Sequence, residues 1–302
     1  MAILIDKNTV ALVQGITGAA GSRYARFMRA YGTRVAGGVT PGKGGSRIFD
    51  FPVFDSVREA KKAEPGINAT VLAVPGRLVK DAIIEAVDAG VKIISVPSER
   101  IPQHDMLEVI AYAKERGATV LGGNSAGIIS PGKCVLGGAG GKEESARSIF
   151  TPGHCGVISR SGGQRTTVCY YLSKGGIGQS TAVATGGDAF VATNWRELLE
   201  LFERDRETHC VVAFGEIGAT MEEDAAELIL KGGFTKPLVA FIAGKHARPG
   251  IRFGHAGAMI TRGKGYAESK VSALRKAGVT VVDHLDEIVP AAKEALAKHS
   301  EK

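Results

Sequence analysis

Residues 10–21 read VALVQGITGAAG, a short run of apolar and β-branched side chains that stops at glycines spaced three apart. Helical spacing of Tyr24, Phe27 and Met28 follows at once. Strand, glycine turn and helix in that order aim free backbone N–H groups and a helix N-terminus at an anion, which confines the chain to a nucleotide-type α/β fold. The spacing GxxGxxG differs from the dinucleotide pattern GxGxxG, so the turn defines an anion site and leaves the ligand open. The alternation then continues. Strands are predicted at 34–39, 68–74, 91–96 and 119–121, with helices at 22–31, 79–89 and 104–116. Short apolar strands alternating with helices imply a parallel, doubly wound sheet with ligand loops at the carboxyl ends of its strands.

The second strand separates the ligands. A nicotinamide site needs an Asp or Glu there to grip a ribose diol, yet the chain reads Thr40-Pro41-Gly42-Lys43-Gly44-Gly45. A lysine suits a phosphate, and coenzyme A carries one on its ribose together with a diphosphate for the first turn. The candidate CoA contacts are therefore Thr17, Gly18, Ala19, Gly21 and Lys43. Val74, Pro75, Ser98, Glu99 and Asn124, at the ends of the later strands, complete the set.

Residues 137–153, GGAGGKEESARSIFTPG, read as a linker, dividing the chain into a Rossmann-like domain at 1–136 and a flavodoxin-like domain at 154–302. Strands are predicted at 155–159, 181–185, 210–214 and 238–243, and helices at 164–172, 195–203 and 221–230. Arg160-Ser161-Gly162-Gly163 opens a helix beneath a strand, so Ser159, Ser161, Gly162 and Gly163 form a second candidate anion site.

His255 lies in RFGHAGAMITRGK, flanked by Gly and Ala and, further out, by Arg252, Arg262 and Lys264. An imidazole in open, positive surroundings is a competent nucleophile toward a phosphoryl group. Glu216, in GEIG, ends a neighbouring strand, so the two could meet at one sheet edge, the carboxylate fixing the imidazole tautomer. Gly215 and Gly218 are expected to leave that carboxylate open to a cleft.

Composition excludes several classes. The net charge of +7 fits an anionic ligand, but the basic residues form no run with interleaved aromatics, so nucleic acid is not expected. Cys134, Cys155, Cys169 and Cys210 are scattered without metal-ligand spacing, arguing against a zinc site or a disulfide framework. The N-terminus lacks signal-peptide character and no apolar run reaches membrane-spanning length, so a cytoplasmic location without membrane contact is expected.

Together, QGITGAAG, VTPGKGG, SERIP, SRSGG, ATGGD, GEIG and FGHAGAMI resemble the alpha subunits of nucleoside-diphosphate-forming acyl-CoA ligases, the family of succinyl-CoA synthetase, its malyl-CoA and citryl-CoA relatives and part of ATP-citrate lyase. The resemblance implies that His255 is phosphorylated during turnover, supported by Glu216. It also implies that Thr17, Gly18 and Lys43 contact CoA, and that Ser159 and Ser161 serve phosphate and acid. ATP or GTP with Mg2+ would be held by a beta-type ATP-grasp partner in a heterodimer or heterotetramer, so this chain would be half an enzyme. SRSGGQRTTV departs from the SRSGTLTYE of succinate-specific relatives and adds Arg165, a candidate contact for a further carboxylate. With the form of the 137–153 segment, this leans toward citrate, with succinate or malate as the alternative. Ser125 stands where succinate enzymes carry cysteine, which is expected to alter the thiol end of the CoA site. Two rival classes are a Rossmann oxidoreductase, which gives His255 no task, and a CoA-binding regulatory protein, which gives none to Glu216.

Overall fold

The computed structural model describes residues 2–247, 254–260 and 265–298, with the last helix continuing to Ser300. Arg252, Arg262 and Lys264, the expected positive flanks of His255, lie outside the described residues. The first half runs β1 (Val10–Gln14), α1 (Ala19–Tyr31), β2 (Arg34–Val39), β3 (Arg47–Ile48), β4 (Phe51–Phe54), α2 (Val57–Ala63), β5 (Ala69–Leu72), α3 (Val79–Asp88), β6 (Ile93–Ser95), α4 (Gln103–Glu115) and β7 (Thr119–Leu121). Its sheet has the order β3-β4-β2-β1-β5-β6-β7, parallel throughout except where β3 runs against β4. Successive side chains of β1 alternate between two cores, Ala11 and Val13 in one and Val10 and Leu12 in the other. A strand covered on both faces has no polar side, which is why it reads as a continuous apolar run.

The second half adds β8 (Gly127–Ser130), β9 (Cys134–Gly137), α5 (Glu143–Ile149), β10 (Pro152–Ser159), α6 (Gly162–Lys174), β11 (Gln179–Ala184), α7 (Trp195–Arg204), β12 (Cys210–Glu216), α8 (Met221–Leu230), β13 (Leu238–Ala243), α9 (Ala267–Lys276), β14 (Thr280–Val282) and α10 (Ile288–Ser300). The sheet order is β14-β13-β12-β10-β11-β8-β9. Strands β10 to β14 are parallel, and β8 joins antiparallel to β11, with β9 antiparallel to β8. The α/β architecture thus has the two expected sheets.

The passage between them comes earlier than the linker predicted at 137–153. The chain leaves the first sheet after Leu121 and enters the second at Gly127, while 137–153 holds α5 and the start of β10. The signal lay in Ile128-Ile129-Ser130, a Pro131-Gly132 turn, then Cys134-Val135-Leu136, which is a hairpin pattern. Arg165 fastens that hairpin to α6. It is fully buried, its Nη1 donating to the Gly127 carbonyl at 2.7 Å and Nη2 to that of Gly138 at 2.8 Å. Burial brings its pKa down to about 10. Its two Nη atoms thus tie α6 to the hairpin, while its Nε makes no hydrogen bond among the described residues. All four cysteines are free and buried, and burial pushes the Cys134 thiol up to about 11 and that of Cys169 to about 12. Among the described residues no helix is long and apolar enough to cross a membrane.

Candidate active site

In the second sheet the strand order reverses between β10 and β12, and an open α/β sheet makes its crevice outside the carboxyl ends of the strands at such a point. Arg160 follows β10 and Glu216 ends β12 there. Both Glu216 carboxylate oxygens lie 2.9 Å from His255 Nδ1. The pair predicted from the sequence is therefore assembled across 39 residues of chain.

The surroundings of the carboxylate differ from the expectation. Glu216 is 8% exposed and borders a cleft of about 390 Å³ with Gly244, Lys245 and Ala258, but its flanking glycines are closed by packing. A Cβ on Gly215 would come 2.6 Å from Glu222 Oε1, and one on Gly218 would come 2.0 Å from the Gly257 carbonyl oxygen. These glycines let other groups close in. Glu222 Oε1 accepts the Glu216 backbone N–H at 3.2 Å, and its other oxygen accepts from Lys270 Nζ. Both Glu222 and Lys270 are 0% exposed. Lys270 also donates to the Ala219 carbonyl and to Glu223. A buried carboxylate deprived of its cation is uncompensated, so Lys270→Met is expected to cost about 3–5 kcal/mol of stability, read as a fall in the urea midpoint.

His255 is flanked in sequence by small residues, but its ring does not stand free. It lies on the backbone of Gly187, where a Cβ would come 2.5 Å from His255 Cγ and 2.6 Å from Cδ2. The Gly257 N–H donates to the Gly187 carbonyl at 3.0 Å and anchors the loop. In a neutral ring the nitrogen facing a carboxylate is the N–H donor, which assigns the lone pair to Nε2; that atom has no hydrogen-bond partner among the described residues. Gly187→Ala would drive the ring from this seat. A displacement of about 1 Å predicts roughly a 10²-fold fall in any reaction at Nε2, with the melting temperature changed far less than by Lys270→Met.

The Gly187 seat also touches the first domain. Its N–H donates to the Asn124 carbonyl at 3.3 Å, and Asn124 N–H donates to the Ser98 carbonyl at 2.9 Å. Ser98 Oγ donates to the Val74 carbonyl at 2.5 Å, beside Pro75. The expected CoA-edge residues Val74, Pro75, Ser98 and Asn124 thus form one connected rim ending under His255. Glu99 on that rim is exposed, with Arg100 as its ion-pair partner at 3.7 Å. Asp188, the residue after Gly187, has its carboxyl pKa raised by burial, against the pull of the Arg100 and Ile101 backbone N–H groups.

At the other end of the rim, Gly15 has φ +82° and a Cβ there would meet the Ala73 carbonyl oxygen at 2.4 Å, so only glycine allows the turn to pack on β5. Helix α1 begins at Gly18 with no side-chain cap and no acidic residue in its first turn, leaving the N–H groups around Ala19 and Gly21 for an anion. Thr17 Oγ1 donates to Thr40 Oγ1 at 3.1 Å, joining this turn to the loop of exposed Lys43, whose ammonium has no partner among the described residues. An uncapped helix start beside a free lysine fits a phosphorylated nucleotide such as CoA.

The α6 residues divide. Ser159 is fully buried and its hydroxyl donates to the Ser161 carbonyl at 2.7 Å, while Ser161 Oγ caps its own helix by accepting from Gln164 N–H at 3.3 Å. The Ser159 hydroxyl is thus engaged, whereas Ser161 uses only a lone pair in the cap and keeps its O–H to donate. The space over Gly162 is taken by Ala126 Cβ at 2.5 Å, whereas that over Gly163 is open. Gly162 and Arg165 border a cleft of about 320 Å³ shared with Arg23 and Tyr24 of α1. Ser125, expected at the thiol end, is buried and its hydroxyl donates to the Ala184 carbonyl. Sequence reading missed Arg160, Glu222 and Lys270 as members of the site. Arg160 stood inside the SRSGG motif, and nothing local marks the other two. Among the described residues no group of three His, Cys, Asp or Glu could hold a metal ion.

A CoA-binding domain matches residues 6–99 and a CoA-ligase domain residues 158–280. The class is therefore that of an acid–thiol ligase subunit. The alpha 2 subunit of ADP-forming succinate–CoA ligase from Archaeoglobus fulgidus is 48% identical over 281 residues, covering 93% of this chain and 95% of that protein. A subunit of an ADP-forming sulfoacetate–CoA ligase from Acholeplasma is 44% identical, covering 94% of each chain. ATP citrate lyase of Methanosaeta concilii, solved in complex with (3S)-citryl-CoA, superposes with a TM-score of 0.90 at 25% identity. That match covers 98% of this chain and spans 51% of the lyase chain. The chain belongs to the family of alpha subunits of nucleoside-diphosphate-forming acyl-CoA ligases.

Proposed function

We propose that this subunit joins CoA to a small carboxylic acid through a phosphohistidine at His255. The observation that carries the reading is the double use of Gly187, which seats the His255 ring and is hydrogen-bonded to Asn124 of the expected CoA rim. On this reading the nucleophile and the CoA rim adjoin at one residue. Nε2 attacks the terminal phosphorus of ATP or GTP, which arrives with Mg2+ on a beta-type ATP-grasp partner, and the bond to the bridging oxygen breaks to release the nucleoside diphosphate. Glu216 holds the Nδ1 proton and stabilises the imidazolium formed by the attack. Transfer of the phosphoryl group to the acid gives an acyl phosphate and returns the imidazole, and the CoA thiol then displaces phosphate to give the thioester. The two phosphoryl transfers are in-line displacements and the thiol step is an acyl transfer through a tetrahedral intermediate, all eased by anion stabilisation at helix N-termini. Coenzyme A, when bound, supplies the thiol; Lys43 and the α1 N-terminus would hold its phosphates.

For the acid, we infer a small dianion of the succinate type. Relatives at 44–48% identity are named for succinate and for sulfoacetate, each a carboxylate with one further anionic group. Both Nη atoms of Arg165, the residue that leaned toward a tricarboxylate, donate to carbonyls. Citrate is retained as the second reading because SRSGG and the 137–153 segment favour it. The test is discharge of the phosphorylated subunit, in complex with its ATP-grasp-type partner, by CoA with succinate, malate, citrate or sulfoacetate. Fast discharge by succinate or sulfoacetate upholds the first reading; fast discharge by citrate alone replaces it with the second.

A further inference from the structure

Arg160 is 1% exposed, and its charge has to be answered where it lies. Nη1 donates to the Gly218 carbonyl at 3.2 Å and that of Ile217 at 3.4 Å, fixing the turn after Glu216. Nε lies 3.4 Å from Glu216 Oε1, and neither Nε nor Nη2 makes a hydrogen bond among the described residues. Nη2 is packed under the histidine loop, 2.4 Å from where a Cβ on Gly257 would stand. Glu222, the other acid against Glu216, is already answered by Lys270. Asp188 presents its backbone carbonyl to this space, while its carboxyl faces Gly123. The arrangement is a line of three groups: guanidinium, carboxylate, imidazole.

We propose that Arg160 is a positioning residue that keeps the Glu216 carboxylate ionised and turned to Nδ1, so that His255 holds its lone pair on Nε2. A buried carboxylate with no cation beside it takes up a proton sooner than remain an uncompensated charge. Whether that proton settles on the carboxyl or on the ring, Nε2 then carries an N–H and cannot attack phosphorus. The nearby cation opposes both outcomes at once. Arg160 touches no substrate in this role, and the inference rests on the phosphohistidine reading.

The test reads the ring directly. The full chain, labelled with 15N in its seven histidines, is examined by NMR at neutral pH without nucleotide, with His255→Asn assigning the resonance. The wild-type protein is expected to show Nε2 as a lone-pair nitrogen and Nδ1 as N–H. In Arg160→Gln, Nε2 is expected to move to the N–H range, and phosphorylation by MgATP with the partner subunit to slow about 10-fold or more. Arg160→Lys, which keeps the charge but loses the fork, is expected to retain the wild-type Nε2 signal and to react faster than Arg160→Gln. A folded Arg160→Gln that binds CoA and keeps a lone-pair Nε2 overturns the inference. If Arg160→Gln does not fold, Arg160→Lys decides, and an N–H at its Nε2 overturns the inference equally. These NMR outcomes leave the proposed function standing, whereas a wild-type complex that takes up no phosphate on His255 removes the reading itself.

Discussion

His255→Asn is expected to abolish net thioester formation, lowering kcat by about 10⁴-fold or more. Asparagine keeps a polar side chain of smaller size in the seat on Gly187 and can still donate to Glu216, so the loop retains its anchor from Gly257 to Gly187. It has no nucleophilic nitrogen. On the proposed reading the CoA phosphates are held at Lys43 and the α1 N-terminus, so CoA affinity, measured by calorimetry on the variant chain, is expected to stay within about 2-fold of wild type, well under 1 kcal/mol. A variant that loses CoA affinity in step with turnover would assign His255 to the thiol site and not to phosphoryl transfer.

The second large effect is expected for Glu216→Gln. Both oxygens of the carboxylate serve Nδ1, and Oε1 also faces the Arg160 guanidinium. A glutamine amide has to choose. Its carbonyl oxygen turns to the cation, so its NH2 group faces Nδ1 and the ring proton moves to Nε2, the wrong tautomer for attack. Loss of a buried carboxylate that fixes a catalytic tautomer costs on the order of 10³–10⁴-fold in kcat where it has been isolated. Expected here is a fall of about 10³-fold in the phosphorylation half-reaction, followed by rapid quench at saturating MgATP. Glu216→Asp keeps the charge but is one methylene shorter, and it is expected to fall between the two. An unchanged half-reaction in Glu216→Gln would mean that the 2.9 Å contact is a packing contact alone.

How much of this was legible in the sequence follows from what each residue depends on. Strand β13, LVAFIA, begins and ends where its apolar run does, because a strand covered on both faces has to be apolar along its length. Helix α8 was equally legible. The β8–β9 hairpin had a local pattern, but its place did not follow from it: only the pairing with β11 shows it to be the edge of the second sheet. Glu216 and His255 could be paired from their motifs, since each follows a strand that the fold sets side by side. What surrounds them could not. Glu222 and Lys270 are charged side chains on α8 and α9 that a sequence assigns to solvent, and only the packing of those helices removes them from it. Arg165 is the reverse case: an arginine beside an anion loop reads as a ligand, and the two carbonyls that accept from it lie 38 and 27 residues earlier in the chain.

The central claim is that one nitrogen of His255 carries the phosphoryl group, and locating phosphorus tests it most directly. The chain, in complex with its ATP-grasp-type partner, is incubated with MgATP and examined by 31P NMR and by peptide mass spectrometry under alkaline conditions. The account predicts one acid-labile phosphoryl group per chain, bonded to Nε2 of His255, absent from His255→Asn and lost when acid and CoA are added. Phosphorus on another residue, on Nδ1, or on no residue of this chain while thioester still forms would contradict it.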